Sequence, residues 1–195
     1  MARTAEIHRQ TKETQITVRI DLDGTGEAKI RTGVGFFDHM LSHLAKHSLC
    51  DVEVACKGDL EVDAHHTVED VGIAIGQAIG NALGDKSGIA RFGSAIVPMD
   101  EALVLCALDI SGRGSLTYHM DLRKEMIGAF DCELAPEFFK AVAANAGINL
   151  HIRQLDGTNA HHLIEAAFKS FARALRAAVS RDERVAGVPS TKGTL

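Results

Sequence analysis

Polar and apolar side chains alternate between residues 5 and 33: Ile16, Val18, Ile20 and Leu22 fall on one face, Thr17, Arg19 and Asp21 on the other. That is the period of a half-solvated strand. The turn DGTG at 23–26 leads into a second extended run at 28–32, so the two runs predict an antiparallel hairpin. From residue 35 the period lengthens. Phe37, Leu41, Leu44 and Ser48 keep helical spacing, residues 50–56 (CDVEVAC) return to strand alternation, and Val71, Ile75, Ala78, Ile79 and Ala82 mark the buried stripe of a helix that stops near Gly84.

The remainder of the chain repeats this order. KETQITVRIDLDGTG at 12–26 lines up with DEALVLCALDISGRG at 100–114, an offset of 88. Phe36 and Phe37 align with Phe138 and Phe139 at 102, and His65, His66 and Glu69 with His161, His162 and Glu165 at 96. Duplication is the economical account, with loops of different length between equivalent elements. The expected fold is α+β with internally duplicated halves, 1–90 and 91–180, each with its sheet on one side and helices on the other. The last segment, 181–195, is polar and turn-rich, the composition of a frayed terminus.

Composition narrows the class. With 195 residues and 46% hydrophobic content the chain is long enough for a substantial core. The start carries no apolar signal region and no stretch is long enough to span a bilayer, so a cytoplasmic protein without a membrane partner is expected. Cys50, Cys56, Cys106 and Cys132 form no CxxC and read as small buried hydrophobes. A net charge of -5 without a lysine block argues against a nucleic-acid partner.

The chemistry is carried by HHxxE, present once in VDAHHTVED and again in TNAHHLIEA. Composition alone predicts roughly 0.03 occurrences, so two point to function. Histidine and glutamate at this spacing crowd the start of one helix and suit a divalent transition metal. Adjacent histidines point about 100° apart, so each helix feeds two ions. Pseudo-symmetry then pairs His66 with His161 and Glu165, and His162 with His65 and Glu69. A fourth ligand is available to each site from His39 (GFFDHML) and His151 (GINLHIR). His8, His43 and His119 read as solvated or locally bonded imidazoles. His47 is the exception among the rest because it lies close to His39.

These motifs, with RQTKET, GIARFG, DEAL, DISGRG, NLHIRQLDGTNAHHLIEAAFKSFARAL and PSTKG, resemble the imidazoleglycerol-phosphate dehydratase family over nearly the whole chain. The resemblance implies a fold like the second domain of ribosomal protein S5. It implies two Mn2+ per active site, held by His39, His66, His161 and Glu165 and by His65, Glu69, His151 and His162. It also implies a large homo-oligomer of 24 subunits built from trimers, with sites at subunit contacts. The expected reaction is dehydration of imidazole-glycerol phosphate to imidazole-acetol phosphate in histidine biosynthesis, through a metal-stabilised imidazolate that expels the hydroxyl beside the ring. Glu13 of TKET is the candidate base, with Glu165 and His66 the other catalytic groups. Substrate contacts are expected from Glu13, His47, Arg91, Arg113, Ser190 and Lys192, the last two making 181–195 part of the phosphate site.

Two other readings fit the same residues. Paired histidine–carboxylate sites beside arginines also suit a di-metal phosphoester hydrolase. The S5-like architecture also occurs in RNA-binding modules, although the acidic balance opposes that.

Overall fold

The computed structural model describes residues 2–195. The first half runs β1 (Thr4–Gln10), β2 (Thr14–Asp21), β3 (Ala28–Arg31), α1 (Gly35–Ser48), β4 (Asp51–Gly58) and α2 (His65–Leu83). The second runs β5 (Phe92–Met99), β6 (Ala102–Asp109), β7 (Ser115–His119), the short pair β8 (Met126–Ile127) and β9 (Phe130–Asp131), α3 (Leu134–Ala146), β10 (Asn149–Asp156) and α4 (Ala160–Val179). The sheets have orders β1-β2-β4-β3 and β5-β6-β10-β7, so the duplication holds strand for strand, with β8 and β9 inserted in the second half.

The hairpin expected across DGTG does not form. β2 pairs antiparallel with β1 and β4, while β3 lies beyond β4 and parallel to it. The cause is Asp51 at the start of β4, whose Oδ1 accepts hydrogen bonds from the backbone N–H of Thr25, Gly26 and Glu27 at 2.8, 3.0 and 2.8 Å. Gly24 makes room for this: a Cβ there would stand 2.4 Å from the Asp51 carboxyl carbon. The chain is thereby tied to β4 and crosses it.

The expected register of the helices also changes. Phe37, Met40, Leu41, Leu44, Ala45 and Ser48 are the buried residues of α1, and at an offset of 98 they meet Ala135, Phe138, Phe139, Val142, Ala143 and Ala146, all buried in α3. The left-handed caps Leu49 (φ 60) and Gly147 (φ 67) match at the same offset. The paired phenylalanines at 36–37 and 138–139 are therefore not equivalent, because an FF pair recurs by composition whereas a whole buried face does not.

Each sheet is covered on one face by its own two helices, and the halves meet helix to helix, α2 against α3 and α1 against α4. Phe37, Phe130, Phe138, Phe139, Phe168 and Phe171 are fully buried where they join, with Phe138 and Phe168 stacked at 5.0 Å. Cys50, Cys106 and Cys132 are buried as expected, Cys56 is only partly so, and all four cysteines are free. No described helix is long and apolar enough to cross a membrane. The terminal segment is anchored rather than frayed. Arg181 bridges to Ile89, Gly187 O accepts from Gly88 N at 2.8 Å, and Pro189 O accepts from the Arg91 guanidinium at 2.8 Å.

Candidate active site

Both HHxxE segments open a helix, α2 and α4, and in both the second histidine is held by a carboxylate. His66 Nδ1 lies 3.0 Å from Asp59 Oδ2, and His162 Nδ1 lies 2.7 Å from Glu101 Oε2. A carboxylate on Nδ1 fixes the tautomer and leaves Nε2 as the free electron pair, the usual preparation of a metal-binding imidazole. The same contacts raise the proton affinity of both rings, and His162 in turn holds the Glu101 carboxyl down at about 2.

The two halves place their acidic groups differently. Glu101, the counterpart of Glu13 at offset 88, is committed to His162 and to the backbone N–H of Asn159 at 3.0 Å. In the first half Asp59 from the β4–α2 loop does that work. Glu13 is left with its carboxylate half-exposed, 3.7 Å from His66 Nε2 and with no side-chain hydrogen bond among the described residues.

The most compact group surrounds Glu165, only 5% exposed. Its oxygens lie 3.3 Å from His161 Nε2, 3.5 Å from His39 Nε2, 3.3 Å from His43 Nε2 and 2.6 Å from Lys169 Nζ. Burial opposes ionisation of Glu165, yet Lys169 and the imidazoles outweigh it and its pKa falls. Burial drives His43 down to about 4, so that ring stays neutral near pH 7 and keeps a free lone pair. Among the described residues, His39, His43 and Glu165 are the one set of three groups whose ligand atoms lie close enough together to share an ion. His43 stacks on His47 at 5.5 Å, where burial and then Lys169 and Arg173 lower the His47 pKa.

Of the expected ligands, then, one chain brings His39, His161 and Glu165 together, and His66 stands apart with Asp59 and Glu13. His65 lies 4.0 Å from Glu69, beside a cleft of about 500 Å3 that also takes in Asp63, Asp131, Glu133 and Glu137. His162 is apart from that pair, beside Glu101 and Asp100. His151 is exposed on the outer face of the second sheet, between Ala107 and Thr117.

The expected phosphate contacts gather near the tail. Arg113 sits in the SGRG turn with its guanidinium on Ser111 O at 3.4 Å, and Gly112 lacks a side chain where Leu195 passes, 2.7 Å from where a Cβ would stand. Ser190 and Lys192 form a turn in which the Ser190 hydroxyl accepts from Lys192 N at 3.2 Å. Arg91 is engaged differently: it makes a bidentate pair with Asp109 at 2.7 and 3.1 Å besides its bond to Pro189 O.

Sequence reasoning missed His43, Lys169, Asp59 and Glu101. The spacing of His39 and His43, one helical turn, was readable, and so was Glu101 beneath Glu13 in the internal alignment. Asp59 lies in a loop and carried no signal.

The fold and these clusters define a duplicated α+β enzyme that gathers imidazoles and carboxylates at paired helix starts. A family model described as imidazoleglycerol-phosphate dehydratase matches residues 32–175. A curated imidazoleglycerol-phosphate dehydratase of Acetivibrio thermocellus is 59% identical over 195 residues, covering 100% of each chain. The crystal structure of the Staphylococcus aureus enzyme of that name is 40% identical with a TM-score of 0.83, covering 92% of this chain and 99% of that one. The Pyrococcus furiosus structure, in complex with (S)-C348, is 39% identical with a TM-score of 0.84, covering 97% of this chain and 100% of that one. The chain belongs to the imidazoleglycerol-phosphate dehydratase family of hydro-lyases, which carries out a dehydration in histidine biosynthesis.

Proposed function

We propose that the dehydration is assisted by two Mn2+ ions, with Glu13 as the base. The chemistry of the donors fits such ions: His66 and His162 present Nε2 with Nδ1 tied to a carboxylate, and Glu165 is an ionised, buried carboxylate among imidazoles. His39, His66, His161 and Glu165 would hold one ion; His65, Glu69 and His162, with His151, the other. Such ions supply Lewis-acid stabilisation of negative charge on the two nitrogens of the substrate's imidazole ring. The chain's own groups do the rest. Glu13 removes the C2 hydrogen of the glycerol chain after the hydroxyl beside the ring leaves, giving an enol that becomes the ketone. Arg113, Ser190 and Lys192 hold the phosphate, with Arg91 bracing the tail behind them, and His47 borders the substrate.

The observation that carries the base assignment is the asymmetry of the duplicate, in which Glu101 is tied to His162 Nδ1 while Glu13 is uncommitted. We infer further that the sites are completed between copies of the chain, since His66 and His162 each stand away from the groups with which they are paired. The outer face of the second sheet supports association: it exposes Phe92 and Ile96, 61% and 56%, whereas the outer face of the first carries the charged row Glu6, Arg19 and Glu53.

Glu165→Gln is expected to lose bound manganese and turnover together. Glu13→Gln should keep the metal and lower kcat roughly 100-fold or more with little change in KM. A Glu13→Gln enzyme with unchanged kcat would remove the base role.

A further inference from the structure

Beneath the Glu13 turn lies a polar network that the reaction as described does not use. Asp70, 6% exposed, is one helical turn past His66 on α2. Its Oδ2 accepts from the Thr14 hydroxyl at 2.5 Å and its Oδ1 from the Arg9 guanidinium at 2.7 Å. Thr14 immediately follows Glu13, in a turn closed by Thr11 Oγ, which accepts from the backbone N–H of Glu13 at 3.1 Å and of Thr14 at 2.9 Å. Glu13 O accepts from Asp59 N at 3.1 Å, and Asp59 orients His66. The turn, the loop and the helix are thus joined on every side of the Glu13–His66 pair.

The second half provides an internal comparison. At the same offsets that align the strands and helix starts, Arg9, Thr14 and Asp70 correspond to Val97, Ala102 and Ala166. The same strand order, pairing and helix position form there from apolar residues, with Ala102 and Ala166 buried. The fold therefore does not require the ion pair, in keeping with the small net stabilisation that buried ion pairs give over apolar packing. The glutamates differ with it: Glu101 binds Nδ1 of its histidine, whereas in the first half Asp59 does so and Glu13 stands 3.7 Å from Nε2.

We propose that Asp70, acting through Thr14 and Arg9, is a positioning residue that fixes Glu13 beside His66, in place to take the substrate's proton. The proposal rests on the reading of Glu13 as the base. Replacing the network by its counterparts, Arg9→Val with Thr14→Ala and Asp70→Ala, is expected to leave manganese content and KM near their original values and to lower kcat roughly 10- to 100-fold, the scale of a misplacement near 1 Å. Thr14→Val alone breaks the link at one atom and should also lower kcat, with Thr14→Ser restoring it. The decisive comparison is made in Glu13→Gln enzyme, where the triple replacement should lower kcat no further, because a group acting only through Glu13 has nothing left to position.

A folded triple variant, or Thr14→Val if the triple does not fold, that keeps its kcat overturns the proposal. So does a loss that multiplies with that of Glu13→Gln, which would mean a general structural role. If Glu13→Gln itself keeps kcat, the base reading fails first and is identified as the error.

Discussion

Arg91 and Arg113 carry the same charge in different surroundings. Arg91 is clamped between Asp109 and Pro189 O, with Phe92 under its guanidinium at 4.7 Å. Removing it would leave a partly buried carboxylate unpaired and release the tail, at a cost of about 1–3 kcal/mol. The Arg113 guanidinium has only a 3.4 Å contact to Ser111 O. Arg113→Ala should leave thermal stability unchanged while weakening binding of the phosphorylated substrate, and it should spare the non-phosphorylated imidazole glycerol. Arg91→Ala should lower the melting temperature and affect both compounds. Calorimetry with substrate titration separates the two; an Arg91→Ala protein as stable as the parent would mean that the Asp109 pair holds nothing in place.

Helix α2 shows how contact between elements overrides local preference. Gly72 and Gly76 stand one turn apart on the face that meets α3, and a Cβ on Gly76 would lie 2.7 Å from Val142 O and 2.8 Å from Asn145 Cβ. Helix propensity favours alanine over glycine by about 1 kcal/mol. Overpacking against a backbone oxygen, which cannot turn aside, costs about 1–3 kcal/mol and should win. Gly76→Ala is therefore expected to be destabilised by denaturant titration, against the propensity scale. An equal or higher midpoint would show that the two helices can separate without loss. The same logic explains β3, whose short alternating pattern suits any neighbour and whose partner is chosen by Asp51 gripping the preceding turn.

At the scale of the whole molecule, charge and polarity divide the two sheets. The outer face of the first carries the charged row Glu6, Arg19 and Glu53, that of the second exposes Phe92 and Ile96, and on the reading proposed above the metal sites are shared between copies. A metal held between copies contributes to their association directly, and only while its histidines are neutral. Chelation should then reduce the particle to smaller folded oligomers, with Mn2+ restoring the original mass at neutral pH. Light scattering after size exclusion reads this, and a metal-free protein that keeps its full mass while losing activity would place each site within one subunit.

The strand and helix periods, the repeated HHxxE and the internal offsets of 88 and 96 follow from the sequence alone, because side-chain spacing sets which face of an element is buried. They were enough for the duplicated α+β fold and the helix starts that carry the histidines, while the family was legible through the resemblance of motifs such as RQTKET, GIARFG and PSTKG. Other features required the folded chain. The partner of β3 depends on one carboxylate meeting three amides 24 to 26 residues away in sequence. The true equivalence of α1 and α3 depends on which faces are buried. The gathering of His43 and Lys169 around Glu165, and the separate commitments of Asp59 and Glu101, depend on distances across elements that no periodicity encodes. The sequence displays Glu13 and Glu101 as equivalents; only tertiary hydrogen bonding makes one an anchor for a histidine and leaves the other without a side-chain hydrogen bond among the described residues.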